Sequence, residues 1–194
     1  MHKTMFDTPI LSPALSLLAK LILKVLGWSV VDNPDKPKKY VLIAAPHTSN
    51  WDLPYTLMVG FALRISVFWM GKQEIFDNPL GGLMKWMGGI PVDRSKANNL
   101  VSATAEQFKE ASSLIITVPP EGTRKKVQRW KSGFYHIAHE AGVPICLGFL
   151  DFSTKTGGLG PIFTPSGDFE TDLPAIQKFY ADKIGRNPEQ SQHS

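Results

Sequence analysis

A histidine and an aspartate lie five positions apart in the stretch His47-Thr-Ser-Asn-Trp-Asp52. A nearby carboxylate can accept the proton on histidine Nδ1, which fixes the tautomer and leaves Nε2 as a base. The nucleophile of a hydrolase triad is missing, since the chain has no Gly-x-Ser-x-Gly motif and its one cysteine, Cys146, lies in an apolar run. The base would therefore act on a hydroxyl group that a substrate brings. Alternatively, both residues simply brace a turn, because this spacing is common by chance.

The residues around this pair predict a strand, a turn and a helix. The apolar run 40–45 is typical of a strand in a parallel sheet that is covered on both faces. After it, Ser49 or Asn50 is expected to cap a helix whose first turn contains Asp52. His47 is therefore expected in the turn at the carboxyl end of a strand.

The remainder of the chain alternates between helical and extended patterns. We predict helices over 52–63, 79–87, 97–111, 132–141 and 173–184, strands over 65–70, 90–92, 114–118 and 144–150, and a loop over 154–160. Such alternation implies right-handed βαβ crossovers. With 194 residues, 43% of them apolar, the chain is expected to form a single α/β domain with a mostly parallel β-sheet flanked by helices.

An amphipathic helix is predicted ahead of this domain, over residues 8–28. Lys20 and Lys24 interrupt its apolar residues, so it falls short of the ~20 apolar residues that a membrane-spanning helix needs. It could lie in a bilayer interface, with Trp28 as an anchor, or pack on the domain. The predicted division is an amphipathic membrane-interface helix over 1–31, the α/β domain over 32–185 and a flexible, frayed tail over 186–194.

Ligands of parallel sheets bind at the carboxyl ends of the strands, where three loops of this chain are expected to meet. They are the turn just described, Asp93-Arg94 and the segment 119–124. The last loop suits a phosphate group, because Gly122 lets backbone N–H groups approach, Thr123 donates and Arg124 can bind two oxygens at once. It is not a Walker loop, so nucleotide hydrolysis is not supported.

Positive charge is concentrated in residues 1–131, which hold 17 Lys and Arg against 10 Asp and Glu, whereas residues 132–194 hold 4 against 7. Five basic residues surround Trp130, namely Arg124, Lys125, Lys126, Arg129 and Lys131. This cluster could attract anionic lipid, coenzyme A or an acidic carrier protein, or be only a solvated loop. No nucleic-acid motif accompanies it, so a nucleic-acid partner is not expected. His136 and His139 lack a third ligand, so no metal site is expected.

Four blocks of sequence resemble the glycerophospholipid (lysophospholipid) acyltransferase family. They occur in the family's order and are His47-Thr-Ser-Asn-Trp-Asp52, Gly88-Gly-Ile-Pro-Val-Asp-Arg94, Pro120-Glu-Gly-Thr-Arg124 and Val143-Pro-Ile145. The first and third blocks together are specific to the family, and the resemblance covers roughly residues 40–150. Pro91-Val92 and Pro119 depart from the bulkier apolar residues that are usual in the family, which bears on the choice of substrate.

The resemblance implies that His47 is the general base and that Asp52 orients it. It places Glu121, Gly122 and Arg124 at the phosphate of the acceptor, with Arg94 assisting. The implied reaction moves an acyl group from an acyl-CoA or acyl-carrier-protein thioester to the hydroxyl of a lysophospholipid, without a cofactor. An anionic membrane surface is the implied partner, and the single cysteine and the absence of a secretory signal pattern favour the cytoplasmic face of the membrane. A catalytically silent lipid-binding protein and an acyl-thioesterase are the alternatives.

Overall fold

The computed structural model of the protein describes residues 3–92 and 97–191. Within these residues, seven strands form one sheet, in the order β1-β7-β6-β2-β5-β3-β4. The strands are β1 Ser29–Val31, β2 Lys39–Ala45, β3 Val67–Lys72, β4 Gly89–Val92, β5 Leu114–Val118, β6 Ile145–Asp151 and β7 Thr156–Phe163. The α-helices are α1 Leu11–Val25, α2 Asp52–Leu63, α3 Gly81–Trp86, α4 Ala97–Glu110, α5 Gly133–Ala141 and α6 Phe169–Tyr180.

All neighbouring strands run parallel except β6 and β7, which are antiparallel. The predicted α/β domain with a mostly parallel sheet flanked by helices is therefore confirmed. The predicted loop over 154–160 is wrong, because Thr156–Phe163 forms β7. Three glycines and Pro161 weaken the strand signal of that segment. Its pairing with β6 supplies the backbone hydrogen bonds that the local sequence does not predict.

Alternate residues of β2 face two separate layers of helices. Val41 and Ile43 are fully buried in a core cluster with residues of α4, α5 and α6, whereas Tyr40 and Leu42 face the side of the sheet that α1 and α2 cover. A strand buried on both faces needs apolar residues at every position, which accounts for the continuous apolar run before His47.

Two boundaries near the end of the chain differ from the prediction. Helix α6 begins at Phe169 and not at Leu173, because the side chain of Asp168 caps it by accepting hydrogen bonds from the backbone N–H groups of Glu170 (3.0 Å) and Thr171 (3.4 Å). The tail predicted to fray from residue 186 is instead ordered over 185–191, where it packs against the turn after β2.

Helix α1 packs on α2 through one face, on which Ser16, Ala19 and Leu23 are buried. The opposite face is apolar and exposed. Its exposed side chains are Ile10, Leu17, Leu18, Leu21, Ile22, Val25 and Leu26. The described residues include no helix that is both long and apolar enough to cross a membrane.

One of the two alternatives for the amino-terminal helix used Trp28 as an anchor in a bilayer interface, and the structure does not support that role for Trp28. Its side chain is buried in the protein, with its ring centroid 4.4 Å from that of Tyr55 and 4.9 Å from that of Phe152. The indole therefore packs the chain after α1 against the domain.

Candidate active site

His47 and Asp52 form a hydrogen-bonded pair in the turn between β2 and α2. His47 Nδ1 lies 3.0 Å from Asp52 Oδ2. The aspartate is buried, while the histidine side chain is 23% exposed. Because Asp52 Oδ2 is an acceptor, it fixes the ring proton on Nδ1 and leaves the lone pair on Nε2. The arrangement can therefore present a base to a ligand that comes from solvent.

The same carboxylate oxygen also holds the backbone of the turn. Asp52 Oδ2 accepts hydrogen bonds from the N–H groups of Thr48 (2.8 Å) and Ser49 (2.9 Å). Within the described residues, the other oxygen, Oδ1, is buried without a partner. Ser49 or Asn50 was predicted to cap α2, but the N-cap residue is Trp51, whose side chain makes no capping hydrogen bond. The Ser49 hydroxyl accepts from the Trp51 N–H instead (3.2 Å).

Glu121 reaches this turn from the loop after β5. Its Oε1 accepts a hydrogen bond from the backbone N–H of His47 (3.2 Å), while Oε2 is buried without a partner among residues 3–92 and 97–191. Burial raises the pKa of Glu121 to about 7, although the hydrogen bond from His47 opposes that rise. The contact exists because β2 and β5 are adjacent and parallel, so that their carboxyl ends meet. Glu121 therefore supports the backbone of the histidine turn, while its predicted place at the acceptor phosphate stays a prediction.

The loop after β5 turns at a glycine in the left-handed conformation. Gly122 has a φ of 65°, which L-residues with a side chain rarely adopt. A Cβ atom at this position would lie 3.0 Å from the Lys131 side chain, so the lysine covers the glycine. Thr123 and Arg124 are exposed. The guanidinium of Arg124 makes no ion pair with a described residue. The side chain of Lys131 thus lies against this loop. From sequence, Lys131 was only one member of the basic cluster.

Two predicted members of the site are placed differently. Arg94 lies outside the described residues. Trp130, which appeared to be an aromatic residue within the basic surface, is buried, with its ring edge-on to Phe134 and Tyr180. It is therefore not available for stacking on a ligand. Arg129 of the same cluster forms an ion pair with Glu170.

A cavity of about 810 Å³ opens beside His47. This volume lies within the roughly 300–1,000 Å³ of small-molecule pockets. Its lining includes the polar or small residues His47, Asp52, Gly122, Thr123, Arg124 and Gln190 and the apolar residues Leu42, Ile65, Val67, Trp69, Leu150 and Leu159. Thr123 and Arg124 are exposed whereas the apolar residues are buried, so the basic part lies at the entrance. The cavity thus joins a polar, basic entrance to an apolar interior. The sequence predicted that loops meet here but not the apolar interior, since its walls come from strands that are distant in the chain.

The one cysteine cannot replace the missing nucleophile. Cys146 is fully buried in β6 on the sheet face covered by α1 and α2. Burial raises the pKa of its thiol to about 12, so a thiolate is disfavoured there. A histidine base with no cysteine nucleophile beside it agrees with a reaction in which a hydroxyl group of the ligand is itself the nucleophile.

Comparisons with known proteins match the part of the chain that contains the candidate site. The sequence profile of the family described as Acyltransferase matches residues 29–146, which include the His47 turn and the loop at Glu121–Arg124. A probable 1-acyl-sn-glycerol-3-phosphate acyltransferase of Mycoplasma pneumoniae is 32% identical over 139 residues, 66% of this chain and 51% of that protein. The 1-acyl-sn-glycerol-3-phosphate acyltransferase of Haemophilus influenzae is 32% identical over 106 residues, 51% of this chain and 42% of that protein.

A solved structure has a similar fold. It is the crystal structure of the 1-acyl-sn-glycerophosphate (LPA) acyltransferase PlsC from Thermotoga maritima, with a TM-score of 0.61, 17% sequence identity and coverage of 87% of this chain and 76% of that chain. The present chain spans about half the length of the curated relatives it matches. The profile match covers most of the chain, including both loops of the site, and the chain therefore belongs to the acyltransferase family.

Proposed function

We propose that this protein transfers a fatty acyl group from a thioester to the hydroxyl of a lysophospholipid such as 1-acyl-glycerol 3-phosphate. The observation that carries the proposal is the His47–Asp52 pair at the mouth of a cavity that is basic at its entrance and apolar inside. An acyl chain is apolar and its acceptor is anionic, so each part of the ligand has a matching part of the cavity. The names of the curated relatives support the same reaction.

In the proposed reaction His47 is the general base. Its Nε2 removes the proton from the acceptor hydroxyl as the oxygen attacks the thioester carbonyl carbon. A C–O bond forms, the C–S bond breaks, and the imidazolium returns the proton to the departing thiolate. Asp52 keeps Nδ1 protonated throughout and lies opposite the positive charge that develops on the ring. No covalent acyl-enzyme is needed.

The acceptor phosphate is proposed to bind at Gly122, Thr123 and Arg124. The guanidinium of Arg124 is exposed and can donate two parallel hydrogen bonds to a phosphate. Lys131, whose side chain lies against Gly122, adds a second positive charge at the same loop. The acyl donor is proposed to be an acyl-CoA or an acyl-carrier protein, both of which are anionic and suit the basic entrance.

We further propose that α1 lies on a membrane surface, at its cytoplasmic face, through the apolar side chains that it exposes. Leu17 and Val25 are more than 70% exposed, which leaves a continuous stripe of apolar surface in water. Lys20 and Lys24 are also exposed and suit anionic headgroups. A lipid surface would both cover this stripe and supply a lipid acceptor.

The test is an assay of the purified protein that crosses acceptors with donors. Lysophosphatidic acid, a phosphate-free monoacylglycerol and glycerol 3-phosphate are each offered with acyl-CoA and with acyl-carrier-protein thioesters, and ester formation and thiol release are measured separately. Acceptor-dependent ester formation that His47→Ala abolishes is expected. Thiol release that needs no acceptor would identify a thioesterase. Lipid binding without turnover would identify a silent binding protein, and either result would overturn the proposal.

A further inference from the structure

The segment that follows α6, residues 184–191, crosses over the candidate active site. We call it the strap. It is tied to the end of β6, because the Ile184 backbone donates to Asp151 Oδ1 (3.3 Å) and accepts from the Phe152 N–H (2.8 Å). From there it passes the turn after β2 and the loop after β5, the two loops that carry the proposed catalytic and phosphate-binding groups.

Asn187 of the strap holds Thr48, the residue that follows His47. The Asn187 backbone N–H donates to the Thr48 hydroxyl (3.1 Å), and Asn187 Nδ2 donates to the Thr48 carbonyl (2.8 Å). The N–H of Thr48 is already bonded to Asp52 Oδ2. All three polar groups of this buried residue are therefore satisfied, two of them by Asn187, and its peptide groups have a defined orientation.

Gly185 and Arg186, which precede Asn187, also contact the turn after β2. A Cβ atom on Gly185 would lie 2.6 Å from the Thr48 side chain, so the strap approaches Thr48 at a distance that only glycine allows. The Arg186 guanidinium lies 5.2 Å from the ring centroid of Trp51 and so covers an exposed aromatic side chain of the same turn.

The strap also reaches the phosphate-binding loop. The side chain of Gln190 lines the cavity mouth. With its amide oriented to donate, it bonds to the backbone carbonyl of Arg124 and, at 3.2 Å, to that of Thr48. One side chain thus bridges the two loops, which lie more than 70 residues apart in the chain.

From these contacts we infer that the strap sets the position of the base relative to the acceptor, and that Asn187 is a positioning residue for the acyl transfer. The inference rests on the proposed function. Asn187 touches neither His47 nor the ligand groups of the cavity, so its effect passes through Thr48 to the hydrogen bonds of Asp52. A small misplacement of a base relative to the hydroxyl it deprotonates lowers the rate of reaction much more than it lowers binding.

The test compares Asn187→Ala with a matched control, Asn33→Ala. Asn33 Nδ2 donates to the Gly160 carbonyl at 2.7 Å, and Asn33 Oδ1 accepts from the Asp35 N–H. The control therefore loses at least as many side-chain hydrogen bonds as Asn187→Ala does. Its bonds involve neither loop of the candidate site. For Asn187→Ala we expect kcat to fall by roughly 10- to 100-fold with less than threefold change in either KM. Asn33→Ala should retain wild-type kcat, whatever its melting temperature.

A second variant and a measurement without turnover complete the test. Gly185→Ala should lower kcat in the same way, because its Cβ would push the strap from Thr48, and the φ of Gly185 is not in the left-handed region. Hydrogen exchange of the Thr48 and Ser49 amides should accelerate in Asn187→Ala and not in Asn33→Ala. Wild-type kcat in both folded strap variants, or equal exchange in Asn187→Ala and Asn33→Ala, would overturn the inference. Should the wild type transfer no acyl group, the proposed function fails, and the exchange comparison still decides the role of the strap.

Discussion

The backbone N–H of His47 donates a hydrogen bond to Glu121 Oε1 at 3.2 Å, which joins the turn of the proposed base to the loop of the proposed phosphate site. The two residues are 74 positions apart in the chain. Their contact means that the turn of the proposed base has a buried carboxyl group on each side, Asp52 at the ring and Glu121 at the backbone. The two carboxyl groups should respond differently to substitution, because only Asp52 touches the imidazole.

Replacement of His47 tests the base. His47→Ala should lower kcat by ~10²–10⁴, the usual contribution of general-base catalysis. Circular dichroism and thermal unfolding should show a folded protein, because the ring is partly exposed and not a core residue. His136→Ala is the control, since this histidine is exposed on α5 away from the cavity. Wild-type turnover in folded His47→Ala would eliminate the mechanism.

Asp52→Asn should act through charge and not through geometry. The two backbone N–H groups at Oδ2 select the amide oxygen for that position, and the amide nitrogen would then occupy the position of Oδ1. The tautomer of His47 is retained, but the imidazolium loses its counter-charge. We expect kcat to fall by roughly 10- to 100-fold, or about 1.4–2.7 kcal/mol in activation free energy. A loss as large as that of His47→Ala, measured in the same assay, would show instead that the amide has turned and the tautomer is lost.

Arg124→Lys separates the phosphate loop from the base. Lysine keeps the charge but loses the planar pair of donors, so the KM for a phosphorylated acceptor should rise by about tenfold, while the KM for the acyl donor changes less. Arg129→Lys is the matched control, because Arg129 lies in the same basic cluster and is paired with Glu170. If Arg124→Ala raises the KM for monoacylglycerol as much as the KM for lysophosphatidic acid, this loop does not bind the acceptor phosphate.

Glu121→Gln should change how stability depends on pH. The pKa of Glu121 is raised from 4.5 to about 7, so the folded state keeps a proton that the unfolded state has lost between these values. The wild type should therefore lose stability as the pH rises from about 4.5 to about 7, by about 3 kcal/mol at most. Glutamine retains an acceptor for the His47 N–H and has no carboxyl group to ionise.

The free energy of unfolding of Glu121→Gln, relative to the wild type, should thus increase over this pH range and be constant above it. Denaturant titrations at pH 5, 6, 7 and 8 measure it. Glu74→Gln, at an exposed carboxylate, serves as the reference. A difference between Glu121→Gln and the wild type that does not vary with pH would show that Glu121 is ionised throughout, and that its burial is compensated in some other way.

Replacement of two leucines tests the membrane face. Leu17→Gln with Leu21→Gln should weaken sedimentation with phospholipid vesicles by at least tenfold, since each exposed leucine that enters lipid contributes roughly 1.5–3 kcal/mol. The fold should persist, because both side chains are exposed. The control pair, Val31→Gln with Ile184→Gln, changes exposed apolar residues outside α1. If both pairs bind vesicles like the wild type, α1 does not make the contact.

Short-range patterns in the sequence predicted the local structure of the site. The apolar run 40–45, the turn and the acidic helix start place His47 and Asp52 within a few residues of each other, where short-range sterics and hydrogen bonds decide the geometry. The alternation of strand and helix patterns likewise predicted a parallel sheet, because parallel strands need helical crossovers. The four helices from α2 to α5 were predicted to within two residues at each end.

The tertiary structure decided everything that depends on which segments meet. The order of strands puts β5 beside β2, which brings Glu121 to the backbone of His47. The pairing of β6 with a glycine-rich segment makes β7 a strand. The packing of the domain buries Trp28, a possible membrane anchor from sequence, and Trp130, which lies within a basic run. The strap is polar and was predicted to fray, but Thr48 provides partners for its amides. The reason is common to all four cases: the local pattern specifies what a residue can bond to, and only the folded chain specifies which partner is within reach.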